Sequence, residues 1–143
     1  MLKLPATGKV KAVGVSNFSI KHIQGIYDAT GVYPAVNQIE RHPLNPQWEL
    51  VNWCKEKGVH ITAYSPLGNN ITGKQKLVDY EEVKKIADRL NATPAQVLVS
   101  WGAYDGCSVI PKSVQKGMFY QSGYLETCCD ETSQTASSPT SRK

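Results

Sequence analysis

Four short apolar runs, each breaking off into polar residues, constrain the fold of this chain more than any other feature. The runs end in Val13-Gly14-Val15-Ser16-Asn17, Val36-Asn37-Gln38, Ala63-Tyr64-Ser65 and Val109-Ile110-Pro111-Lys112-Ser113. Helix-type sequence lies between them, and strands alternating with helices assemble as a parallel sheet. In such sheets ligands bind beyond the carboxyl ends of the strands. This chain places polar residues there four times in succession.

Caps and periods divide the chain further. A first strand is expected over Val10 to Val15, followed by Ser19 as a helix N-cap. Ile20, Ile23, Ile26 and Tyr27 recur at helical spacing, and Gly31 stops the helix. A second strand is expected over Tyr33 to Gln38. Asn45-Pro46 predicts the start of the next helix, with Leu50, Val51 and Cys54 as its apolar stripe and Gly58 as its end. The third strand reads Val59 to Tyr64 and leads into a loop rich in Gly and Asn up to Gly73. Val83, Ile86, Ala87 and Leu90 mark another helix. Thr93-Pro94-Ala95-Gln96 joins a capping box to a proline at the first helical position, so a further helix runs to about Trp101. The fourth strand is Cys107 to Ile110.

Composition narrows the class. At 143 residues and 41% hydrophobic content, the chain suits one globular domain. No apolar run approaches the ~20 residues that cross a bilayer, and the start lacks a secretory pattern, so no membrane and a cytoplasmic setting are expected. The net charge of +4 is spread out, which argues against nucleic acid. Cys54 and Cys107 lie in apolar contexts, while adjacent Cys128 and Cys129 match no zinc pattern, so no metal site is assigned. His42 in its Pro-flanked loop and His60 at the start of a strand are not assigned to catalysis.

The phrases Gly8-Lys9-Val10-Lys11-Ala12-Val13-Gly14-Val15-Ser16-Asn17-Phe18, Val36-Asn37-Gln38-Ile39-Glu40-Arg41-His42-Pro43, Ala63-Tyr64-Ser65-Pro66-Leu67-Gly68 and Ile110-Pro111-Lys112-Ser113-Val114 resemble the aldo-keto reductase family in order and spacing. The wording is most similar to the family's fungal branch. The resemblance implies a (β/α)8 barrel, NADP(H) as cofactor and a small carbonyl substrate reduced by hydride transfer. It implies that Ser16, Asn17 and Gln38 hydrogen-bond the nicotinamide carboxamide and that Tyr64 stacks on the ring. Ser65 and Leu67 would lie along the pyrophosphate, and Lys112 and Ser113 would meet the ribose 2′-phosphate. By residue type alone, Ser16, Asn17 and Gln38 also suit loop capping, Tyr64 packing, and Lys112 a solvated surface.

Where the chain departs from the family, the expectations change. The family's Asp, Tyr, Lys and His tetrad comes from strands earlier than the first one here, and none of those motifs occurs, so no catalytic residue is assigned. A whole barrel needs ~250 residues. The expectation is therefore a partial (β/α)8 barrel of about four parallel strands, the family's fifth to eighth. Residues 1–114 would form this partial domain. From Gln115 the sequence matches nothing in the family, and residues 115–143, rich in Ser and Thr, read as a disordered tail. The competing readings are a non-catalytic half-barrel interaction module and a defective truncated product. Open sheet edges would favour self-association in either case.

Overall fold

The computed structural model describes residues 3–68 and 75–112. The Gly/Asn loop beyond Gly68, Ser113 and the expected tail lie largely or wholly outside the described residues. After a 3-10 turn at Pro5–Thr7 the order is β1 (Val15–Ser16), α1 (Ile20–Thr30), β2 (Val36–Glu40), α2 (Trp48–Glu56) and β3 (His60–Tyr64). A 3-10 turn at Leu77–Asp79, α3 (Glu81–Arg89), α4 (Pro94–Ala103), a further 3-10 turn and β4 (Ser108–Ile110) complete it. The strands form one parallel sheet in the order β1-β2-β3-β4. This is the expected partial barrel with its helices between strands.

The caps act as their chemistry requires. Ser19 accepts from the His22 backbone while its own N–H donates to His22 Nδ1, closing a capping box, and Gly31 at φ 70° ends α1. Thr93 and Gln96 close the same box on α4, whose first residue is Pro94. Several boundaries differ from expectation: β2 runs Val36–Glu40 rather than Tyr33 to Gln38, and two further differences bear on the site. β1 is two residues long rather than Val10 to Val15, because an apolar run becomes strand only where a ladder partner runs beside it. Residues 10–12 are exposed. Pairing begins where Ala35 donates to the Val13 carbonyl at 2.9 Å and ends where Asn17 donates to Gln38 at 2.9 Å.

The second difference is the start of α2. The helix begins at Trp48 with Gln47 as N-cap in the left-handed region at φ 50° and no side-chain cap. Asn45 does not cap it, because its amide donates instead to the Glu40 carbonyl at 3.2 Å and its backbone bridges His42. The Pro46 carbonyl is likewise taken, by Arg41 Nε at 3.1 Å. The segment is tied back onto the end of β2, and the helix starts only where those ties stop.

Strand parity separates the two faces of the sheet. Ile39, Ile61 and Ala63 turn toward the helices, where Ile39 and Ile61 pack with Ile23, Leu50, Val51, Cys54 and Val59. A second cluster, Leu77, Val83, Ala87, Val97 and Leu98, joins α3 and α4. The opposite face carries Ser16, Gln38, Thr62 and Ser108, which are paired in register straight across all four strands. In a closed βα barrel that face is the interior.

Candidate functional site

The polar row continues to the carboxyl ends of the strands. Ser16 and Gln38 are register partners, and Ser16 Oγ donates to the Gln38 carbonyl at 3.0 Å. Two residues on, Glu40 pairs with Tyr64 and Tyr64 with Ile110. The Tyr64 hydroxyl donates to Asn17 Oδ1 at 3.1 Å, so the ends of β1 and β3 are joined across β2. Asn17 can offer its amide there because its backbone is left-handed, φ 57°, a conformation that asparagine tolerates. The structure thus brings Ser16, Asn17, Gln38 and Tyr64 together at one end of the sheet.

Ser65 follows directly, also left-handed at φ 48°, and its carbonyl accepts from Gly68 at 2.9 Å. A non-glycine residue held there stores ~1–3 kcal/mol of strain, which the surrounding turn must offset. Leu67 is half-buried against the Leu77 cluster. Lys112 stands exposed just beyond β4. These three flank the Asn17–Tyr64 pair on the β3 and β4 side rather than joining it. His60 begins β3 at the opposite end and hydrogen-bonds Ser108 Oγ at 2.9 Å. His42 is buried, with Nε2 3.3 Å from Glu40 Oε1.

Two residues that sequence reasoning left without a role shape this end. Asn37 is completely buried, donates from Nδ2 to the Phe18 carbonyl at 2.8 Å and accepts from the Phe18 N–H at 3.3 Å. It fixes the loop that carries Asn17. Its signal in the sequence was parity: an amide on the same side of the strand as Ile39. Glu40 lines a cleft of about 550 Å³ with Asn17, Phe18, Gln47 and Tyr64. Gln47 holds the Glu40 carbonyl at 2.7 Å.

Of the shifted ionisable groups, only Arg41, lowered by burial, adjoins this end of the sheet; the others lie elsewhere. Burial pushes the Cys54 thiol up to about 11, with Cys107 adding to it, and burial likewise raises Cys107. Lys55 is raised by its hydrogen bond to Asp105. Among the described residues no three His, Cys, Asp or Glu side chains converge as a metal site would need, and no helix is long and apolar enough to cross a membrane.

A parallel βα sheet with its polar groups gathered at the carboxyl ends of the strands is the arrangement in which βα barrels place their ligand sites. Comparison with known proteins makes the class specific: the sequence model of the Aldo/keto reductase family matches residues 1–118, and the chain belongs to that family. It is 52% identical over 122 residues to a D/L-glyceraldehyde reductase of Hypocrea jecorina, covering 81% of this chain and 37% of that protein. It is 47% identical over 116 residues to a glycerol 2-dehydrogenase (NADP(+)) of Saccharomyces cerevisiae, covering 80% and 36%. Among solved structures, a mutant of Gox0644 in complex with NADPH superimposes with a TM-score of 0.76 at 39% identity, covering 85% of this chain and 43% of that one. An aldo/keto reductase from Brucella melitensis gives 0.75 at 33% identity, covering 85% and 44%. The chain spans about a third of the length of these curated relatives.

Proposed function

We propose that this chain forms the nicotinamide- and phosphate-facing part of an NADP(H) site in an oxidoreductase that interconverts small carbonyls and alcohols. The observation that carries the reading is the group at the ends of β1–β3: Ser16 and Gln38 adjacent on one face, and Asn17 joined to Tyr64 at 3.1 Å. A carboxamide offers both a donor and an acceptor, and hydroxyl and amide side chains meet both. Tyr64 supplies a flat ring beside them, suited to stacking. Ser65 and Leu67 would follow the pyrophosphate, and Lys112, with Ser113 after it, would meet a 2′-phosphate through a charge-assisted contact of ~1.5–3 kcal/mol. Bound NADPH would supply the hydride. The chain's own residues would bind the cofactor and fix which face of the ring is presented.

The proton donor is a separate matter. Tyr64 commits its hydroxyl to Asn17, and we assign no Asp, Tyr, Lys and His tetrad to these 143 residues. The reading is therefore a cofactor half-site without general acid catalysis, a loss that typically costs ~10²–10⁴-fold in rate. Residues 1–114 carry the site in this proposal, and residues 115–143 take no part. A cytoplasmic place is proposed on the family's behaviour. Titration of the chain with NADPH and NADH, followed by tryptophan fluorescence, is the test. NADPH should bind more tightly, and Lys112→Ala should remove the preference. Equal affinities, or no effect of Lys112→Ala, would refute it. Turnover of glyceraldehyde by the chain alone would refute the missing-donor part.

A second reading, an interaction module that pairs with another half-barrel, has its own observation. A cavity of about 420 Å³ at the β1 edge is lined by Val13, Val15, Phe18, Ile26, Val32 and Tyr33, and Ile110 stands exposed on the edge strand β4. Such apolar surface favours association. A discrete dimer on size exclusion supports this reading, and a monomer excludes it.

A further inference from the structure

The loop after β2 holds a charge that the cofactor reading leaves unused. Arg41 is fully buried. Its Nε donates to the Pro46 carbonyl at 3.1 Å, and its Nη1 donates to the carbonyls of Gly102 at 3.0 Å and Trp101 at 3.5 Å. The guanidinium carbon lies 4.8 Å from the ring centre of Trp48 and 4.6 Å from that of Trp101. Nη2 makes no bond among the described residues. The compensating charge comes from the carbonyl end of α4 and the two indole faces.

An apolar side chain of similar length would fill this space without desolvating a charge, and such replacements are often neutral or stabilising. What it could not do is hold several backbone carbonyls at once in a planar fork. Those carbonyls belong to segments that meet at one point. A Cβ on Gly102 would stand 3.1 Å from Val109 Cγ2 and 3.6 Å from Pro66 Cβ, so α4 lies directly on β4 and on the residue after Ser65. The backbone of Arg41 itself donates to the Tyr64 carbonyl at 3.3 Å.

The geometry points to Arg41 as a positioning residue that fixes β4 and Lys112 relative to Gln38 and Tyr64. It thereby sets the span between the nicotinamide end and the phosphate end of the groove, and in that respect it rests on the cofactor reading above. Arg41 touches no cofactor atom in this account. It acts through Gly102, against which Val109 and Pro66 are seated. Lysine in its place keeps the charge but presents a single nitrogen instead of a planar fork.

The test uses the full 143-residue chain as wild type, Arg41→Met and Arg41→Lys, with calorimetric titration of NADPH and NADH and hydrogen exchange over residues 107–112. Both variants should lose at least about tenfold of the NADPH-over-NADH preference, the worth of one charge-assisted hydrogen bond. NADH affinity should stay nearly unchanged and exchange in 107–112 should quicken. Equal weakening of both nucleotides with the preference intact would make Arg41 merely structural and overturn the proposal, as would failure of both variants to fold. If the wild type binds neither nucleotide, the cofactor reading fails by itself. Arg41 is then judged by exchange alone: faster exchange in 107–112 upholds the coupling to β4, and unchanged exchange overturns it.

Discussion

Replacing Asn37 by alanine tests how firmly the carboxyl ends of β1 and β2 are held. Asn37 is completely buried and bonds both backbone groups of Phe18, at 2.8 Å and 3.3 Å. A typical hydrogen bond contributes ~0.5–1.5 kcal/mol net, and a polar group left buried without a partner costs ~1–3 kcal/mol. Phe18 is only half-buried, so water can recover part of that loss. The sum is roughly 2–3 kcal/mol. For a chain of this size, between ~60–100-residue domains (~4–8 °C per kcal/mol) and ~150–250-residue ones (~2–4 °C), a fall of roughly 5–15 °C is expected. Ser16→Ala is the control. Ser16 is exposed and its one bond, to Gln38, is exposed too; such surface changes stay within ~0.5 kcal/mol.

Thermal and urea melts of the two variants give the magnitudes, and hydrogen exchange at residues 16–19 locates the effect. Asn37→Ala should speed exchange there and weaken NADPH binding, because Asn17 loses the loop geometry that places it beside Tyr64. A loss no larger than that of Ser16→Ala, or unchanged exchange over residues 16–19, would refute the idea that the amide pins this loop.

Two further outcomes follow from packing and ionisation. Gly14→Ala should cost ~1–3 kcal/mol by denaturant midpoint, since the added Cβ would come 2.3 Å from Val36 Cγ1 and 2.8 Å from the Val36 carbonyl oxygen, and the backbone oxygen cannot swing aside; a neutral effect would mean that β1 and β2 do not approach as closely as described. Cys54 titrates at about 11 when folded against an ordinary value of 9.0, so the unfolded chain releases its proton first. Its contribution to stability is therefore whole below pH 9 and is lost as pH rises toward 11. Melting temperature across that window should fall more steeply for wild type than for Cys54→Ala; parallel slopes would contradict the assignment.

The strand order was legible because each of its signals is local. An apolar run, an N-cap at Ser19, a capping box at Thr93 and a glycine at Gly31 all act within a few residues, and the structure realises each of them. The errors fall where pairing with another segment decides. Val10 to Val15 reads as a strand, but ladder pairing is set by where β2 runs. Asn45 reads as a cap, but its amide is drawn to a carbonyl five residues back.

The same division separates the candidate site into what residue types can announce and what only folding can assemble. Ser16, Gln38 and Tyr64 were readable because strand ends in a parallel sheet face one region of space, whichever strands they belong to. Parity hints at Asn37, but what it and Arg41 hold was not readable, since partners lie 19 and 61 residues away in sequence. A buried amide or guanidinium is worth its desolvation only when particular carbonyls wait for it, and no window of sequence shows which carbonyls those will be. The groups expected to touch a cofactor are thus the part of the site most visible in the chain. The groups that hold those residues in place are the part for which the three-dimensional structure is indispensable.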